Sequence, residues 1–136
     1  MSFIHQSLSL QADKNLIYTA FSKHLFYYRW HISKYVIEQR GVPLNPFMIF
    51  DYFLLDTVDR NLIREGNNNL VKRADELWVF GPISDGVLAE IKIAQNLKKP
   101  IKYFRLEKTN EIMPISVFEV EMEDEVREFK EELPAN

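Results

Sequence analysis

Apolar and polar positions change period along the chain, and the changes mark out alternating strands and helices. Residues 1 to 13 are polar and aperiodic and read as a loose arm or edge segment. Asn15-Leu16-Ile17-Tyr18-Thr19-Ala20 is a short β-rich run, expected to form the first strand at the centre of a sheet. Phe21-Ser22-Lys23 breaks it. From about His24 to Gln39, Leu25, Tyr28, Ile32, Tyr35 and Val36 recur at helical spacing, and Gly41 is a natural stop. Val42 to Phe47 is extended, with prolines that make it an irregular strand. Met48 to about Arg64 suits a helix with Phe50, Phe53, Leu54, Val58 and Leu62 on one side. Gly66-Asn67-Asn68-Asn69 then reads as a kink or loop, and Leu70 to Arg73 as one more helical turn.

The next stretch organises the rest. Leu77 to Phe80 is a buried strand, Gly81-Pro82 interrupts it, and Ser84-Asp85-Gly86 opens a helix. That helix runs through Ile91, Ala94 and Leu97 to Lys98-Lys99, cations suited to the negative end of the helix dipole. Pro100 ends it, Ile101 to Leu106 is another strand, and Ile112 to Val120 alternates as a final one. Glu121 to Leu133 is an acidic, weakly amphipathic helix. Strands alternating with helices imply crossover connections, so the expected fold class is α/β, a parallel sheet flanked by helices.

Composition narrows the function more than the fold. A chain of 136 residues with 46% hydrophobic residues can bury a core as one domain, and no linker or repeat divides it. Cysteine is absent, which excludes thiolate nucleophiles and cysteine-held zinc. A net charge of −3 gives no reason to expect nucleic acid as a partner. No apolar run approaches the ~20 residues that span a membrane, and Met1 to Gln6 lacks a signal-peptide pattern. The expectation is a cytoplasmic protein with no membrane partner. Aromatic residues gather between 26 and 53, where they either pack heavily or line a pocket for a flat ligand.

A strand feeding a helix through a tight polar turn is where α/β sheets place ligands. Free backbone N–H groups of the first helical turn suit an oxyanion or a phosphate. Ser84 and Gly86 also fit a plain N-cap serine and turn glycine that need no ligand. Glu90 lies less than two turns into the helix, either on its outer face or turned toward the crevice. A carboxylate there could attack or stabilise an oxocarbenium-like sugar carbon. Tyr18 ends the first strand at the same sheet edge and either packs as a core residue or orients Glu90. Asp51, Asp56 and Asp59 read as helix-surface charges. His5, His24 and His31 lack metal-ligand spacing, so neither a metal nor a cofactor is expected.

At these residues the sequence resembles the nucleoside 2-deoxyribosyltransferase superfamily, which includes the 2′-deoxynucleoside 5′-monophosphate N-glycosidases. The resemblance covers roughly residues 15 to 106. It rests on Ile17-Tyr18-Thr19-Ala20, on Arg73-Ala74-Asp75, and on Ser84-x-Gly86-x-x-x-Glu90 followed by Ala94 and Lys99-Pro100-Ile101. It implies a three-layer Rossmann-like (flavodoxin-like) domain spanning 1–136, with 1–13 as an N-terminal arm and 107–136 as a C-terminal strand and acidic helix. It implies a small-molecule nucleoside or nucleotide whose base–deoxyribose bond is cleaved through a covalent glycosyl-Glu90 intermediate. Tyr18 would orient Glu90. Ser84, with the backbone of Asp85 and Gly86, would hold the 5′ end of the sugar, a serine there leaning toward a phosphate. Asn67 stands where the family has a catalytic aspartate and would contact sugar or base. Ser22 keeps a serine of the hydrolase pattern, whereas Phe21 replaces a glycine and His24 a phosphate-binding arginine. The family's oligomers imply a homodimer, with Asn110 or Ser116 the candidates for completing a neighbour's site. A non-catalytic nucleotide-binding module on the same fold is the alternative that Asn67, Phe21 and His24 motivate.

Overall fold

Five strands form one sheet in the order β2-β1-β3-β4-β5, in the computed structural model that describes residues 2–51, 54, 56–107 and 111–135. Phe53 and Asn110 fall outside those residues. The strands are β1 (Leu16–Phe21), β2 (Val42–Leu44), β3 (Glu76–Phe80), β4 (Ile101–Leu106) and β5 (Ile112–Ile115). The first four pair in parallel, with Tyr18 beside Leu77 and Leu77 beside Ile101. β5 departs from the all-parallel expectation. It returns antiparallel along β4, Tyr103 facing Ile115, because the short link from Leu106 to Ile112 cannot carry a crossover.

The pleat sorts strand residues onto two apolar faces. Tyr18, Ala20, Leu77, Val79, Ile101 and Tyr103 pack with Val71 of α3 (Arg60–Arg73) and Val87, Leu88, Ile91 and Ala94 of α4 (Asp85–Asn96). Ile17, Phe21, Trp78, Phe80 and Phe104 pack on the other side against Ile32 and Val36 of α1 (Arg29–Glu38). Helix, sheet and helix thus form the α/β three-layer arrangement the pattern anticipates. The connection after β1 runs over one face and that after β2 over the other. The crevice this opens lies beyond the carboxyl ends of β1 and β3.

Local chemistry moves several boundaries. Ser22 accepts from the His24 N–H at 3.3 Å, so Lys23–Tyr28 is a 3-10 turn and the α-helix starts only at Arg29. Asn45 caps the short α2 (Pro46–Ile49), whose proline sits in the first turn. The expected helix from Met48 does not continue. Asp59 accepts from the Asn61 N–H at 2.8 Å and starts α3 at Arg60, and the helix then passes unbroken through Gly66 to Asn69. Of the kink or loop expected there, the loop is absent. Gly66 serves a contact: a Cβ there would lie 2.7 Å from Cζ of Phe50. Lys99 does not end its own helix but donates to the Lys72 carbonyl at the end of α3, while Lys98 takes φ 58. The final strand stops at Ile115, where Ser116 and Glu119 form a capping box around a 3-10 turn. Residues Asp124–Glu132 are 3-10 rather than α-helical. Near the amino end a short 3-10 turn, Gln6–Ser9, is exposed throughout. No described helix is long and apolar enough to cross a membrane.

Candidate active site

Glu90 projects from the second turn of α4 toward the sheet, where the Tyr18 hydroxyl donates a hydrogen bond to its Oε2. Tyr18 is fully buried in β1, so its ring is fixed and the hydroxyl has one direction to point. Burial, then the neighbouring Glu90 charge, hold the phenol well above its ordinary range, so Tyr18 is a donor throughout the physiological interval. Burial pushes the Glu90 carboxyl up to about 7, and the Tyr18 hydrogen bond offsets only part of that rise. Near neutrality Glu90 thus exchanges between acid and carboxylate, the tuning a group needs for acid, base or nucleophile chemistry.

Above this pair opens a cleft of about 720 Å³. Ser22, Asn67, Ser84, Asp85, Gly86 and Glu90 all line it, and Tyr18 supports it from beneath. The structure therefore brings Tyr18, Ser22, Asn67, Ser84, Asp85, Gly86 and Glu90 together in one place. A second cavity of about 340 Å³ between α1 and β5 contains none of them. Within the cleft, Asn67 stands out: its Oδ1 is buried and accepts no hydrogen bond among the described residues. A buried carbonyl oxygen without a donor is costly unless a ligand supplies one. Gly86 has nothing within 4 Å of its would-be Cβ, so it leaves the cleft open rather than relieving a crowded turn.

At the start of α4 two of the first-turn donors already have partners. The Gly86 N–H donates to the Asp85 carboxylate at 2.7 Å, and the Val87 N–H donates to Ser84 Oγ at 3.3 Å. The helix caps itself, and an incoming phosphate would meet the Asp85 charge. More acid lies alongside. The Ile83 N–H donates to the Glu121 carbonyl and the Glu123 N–H to the Ile83 carbonyl, each at 2.9 Å, which seats the C-terminal segment beside the turn. Glu123 and Glu125 thereby join the cleft wall, and His24 Nε2 approaches Glu123 at 3.9 Å. Sequence reasoning missed both glutamates, since a single bridge between Ile83 and Met122 places them and leaves no periodic trace.

The opposite wall belongs to α3 and α2. Arg60, Ile63, Arg64 and Asn67 face the cleft from α3, with Phe47 and Phe50 beside them. The arginines were also missed. Their signal was available: they lie one and two turns before Asn67 on the same helix face, once Asp59 is taken as the cap. Asp59 is exposed, as expected of a surface charge, and so are Asp51 and Asp56. Ser116 sits in its capping box, away from the cleft of its own chain. Among the described residues no group of three His, Cys, Asp or Glu side chains could hold a metal ion.

The sequence profile of a family described as a domain of unknown function, DUF7768, matches residues 18–104. The chain belongs to the DUF7768 family. The match runs from Tyr18 in β1 to Phe104 in β4, so in this DUF7768 chain it includes Tyr18, Asn67, Ser84 and Glu90 but not Glu123 or Glu125. No curated protein matches the sequence. Among solved structures it is similar to a 2-desoxiribosyltransferase from Leishmania mexicana, with TM-score 0.53 and 19% identity. The alignment covers 68% of this chain and 65% of that one, so the DUF7768 chain spans just under two thirds of that structure. At that identity the likeness is one of fold.

Proposed function

We propose that this protein is a nucleoside N-glycosidase or deoxyribosyltransferase in which Glu90 is the nucleophile. The observation that carries the reading is the part-buried Tyr18–Glu90 hydrogen bond at the floor of a cleft large enough for a nucleoside. The deoxyribosyltransferase-like fold and the Ser84-x-Gly86-x-x-x-Glu90 resemblance support it. A Glu90 carboxylate oxygen bonds to C1′ as the C1′–N bond breaks, its electron pair leaving with the base, which takes a proton from water. Water, or a second base, then attacks C1′ and frees the carboxylate. Tyr18 keeps the carboxylate aimed through both steps.

The cleft chemistry favours a nucleoside with a free 5′-hydroxyl over a monophosphate. Ser84 and Asp85 can accept from a hydroxyl, whereas Asp85, Glu123 and Glu125 together disfavour a second anion at that end. Asn67 can accept a hydrogen bond from sugar or base through its unpartnered Oδ1. The family resemblance brings with it a homo-oligomer, which light scattering reads directly. Incubation with a panel of deoxynucleosides and their 5′-monophosphates, assayed for free base, tests the proposal. Release from the nucleosides that disappears in Glu90→Ala is the expected result. Release that persists undiminished in that variant sinks the mechanism.

A further inference from the structure

The two walls of the cleft differ in kind. One carries Ser84, Asp85, Glu123 and Glu125: hydroxyl and carboxylate groups suited to sugar hydroxyls. The other carries Phe47, Phe50, Arg60, Arg64 and Asn67. Phe50 is held by its contact with the Gly66 backbone position, so one aromatic ring lies next to Asn67 on the α3 surface. The Arg60 side chain makes no hydrogen bond or ion pair among the described residues. Arg64 uses one nitrogen on the neutral Asn61 side chain, at 2.9 Å, and has no carboxylate partner there. Two guanidiniums one turn apart thus face a cleft with their donors largely unspent.

We propose that this wall is the base subsite, in which Arg60 and Arg64 read an oxo-base through its ring-carbonyl and ring-nitrogen acceptors. The inference rests on the nucleoside reading above and assigns its leaving group. A guanidinium matches the O6 and N7 acceptors of a 6-oxopurine in a bidentate pair, whereas a 6-aminopurine turns a donor toward it. The unpartnered Asn67 Oδ1 accepts from a ring N–H of the same base, a donor that an oxopurine keeps. Phe47 and Phe50 offer the flat apolar contact that a ring of either kind needs. A phosphate is the other anionic candidate for two arginines. The aromatic neighbours and the amide acceptor favour a heteroaromatic ring, since neither contributes anything to a phosphate.

Calorimetric titration of the full chain with free hypoxanthine, free adenine and inorganic phosphate tests this without relying on turnover. Hypoxanthine binding at least about tenfold tighter than adenine is expected, the scale of one bidentate pair. That preference should vanish in Arg60→Ala/Arg64→Ala and survive in Glu90→Gln. Equal binding of the two bases, or a preference that outlasts the double substitution, overturns the assignment. Phosphate binding that depends on the two arginines, without base discrimination, also overturns it. If hypoxanthine binds as expected while no deoxynucleoside is cleaved, the base subsite stands and the glycosidase reading fails.

Discussion

Glu90→Gln should make the folded protein more stable above neutral pH while removing its chemistry. In the unfolded chain the carboxyl titrates near 4.5, and in the folded protein at about 7. Between those values the folded state holds a proton that the unfolded chain has released. Stability therefore falls as pH rises from 4.5 to about 7 and levels off above. At 1.36 kcal/mol per pKa unit the full rise corresponds to about 3 kcal/mol. Glu90 is only half-buried, with water reaching it from the cleft, so about 1–3 kcal/mol is the expected penalty at pH 8. Glutamine is neutral at every pH and can still accept from Tyr18, so the variant escapes the penalty. For a chain of this size that corresponds to a melting temperature about 4–10 °C higher at pH 8. At pH 4.5 the two proteins should melt within about a degree, because their charges there are nearly equal. Thermal denaturation of both proteins in matched buffers between pH 4.5 and 8.5 measures the difference, in which all other titrations cancel. A difference that stays flat across this range, or that favours the wild type at pH 8, would falsify the electrostatic account of Glu90.

Other expectations follow from the same geometry. Base release, followed as kcat/KM, should rise with pH through about 7 as Glu90 ionises. A rate limb centred near 4.5 would mean that the working carboxylate is not buried. Tyr18→Phe removes the bond that favours the charged form, so that limb should move to higher pH, with about 1 kcal/mol lost from stability. An unmoved limb would make Tyr18 a packing residue only. Asn67→Asp supplies a carboxyl beside the leaving base and should raise base release by about tenfold or more. An unchanged rate would show that base departure needs no acid at this position. Gly81→Ala combines φ 74 with a Cβ 2.5 Å from Leu25 Cδ1, so chemical denaturation should show a loss of about 2 kcal/mol or more. A loss under about 0.5 kcal/mol would mean that the turn relaxes without strain.

The α/β alternation, the strands β1, β3 and β4 and the opening of α4 at Ser84 were all legible in the chain. Each is signalled locally, by period, by a cap, or by a motif whose members lie within a turn or two of one another. The single helix expected from Met48 to about Arg64 divides into the end of α2 and the start of α3, because apolar spacing does not mark where one helix stops and the next begins. Capping by Asn45 and Asp59 sets where each begins. The strand–turn–helix pattern at Leu77 to Glu90 made a crevice beyond the strand ends foreseeable, but the order of strands that opens it between β1 and β3 is tertiary. Tyr18 and Glu90 are 72 residues apart, and only the docking of α4 on β1 makes them a hydrogen-bonded pair. The raised pKa of Glu90 is equally tertiary, since desolvation depends on what encloses a group and not on its sequence neighbours. The acid beside Ser84 arrives through one bridge from Ile83 to Met122, a contact that carries no periodicity. Local spacing thus determined the elements and named a carboxylate. Long-range packing decided that one wall is acidic and the other cationic, and that Glu90 is enclosed against Tyr18 where burial raises its pKa.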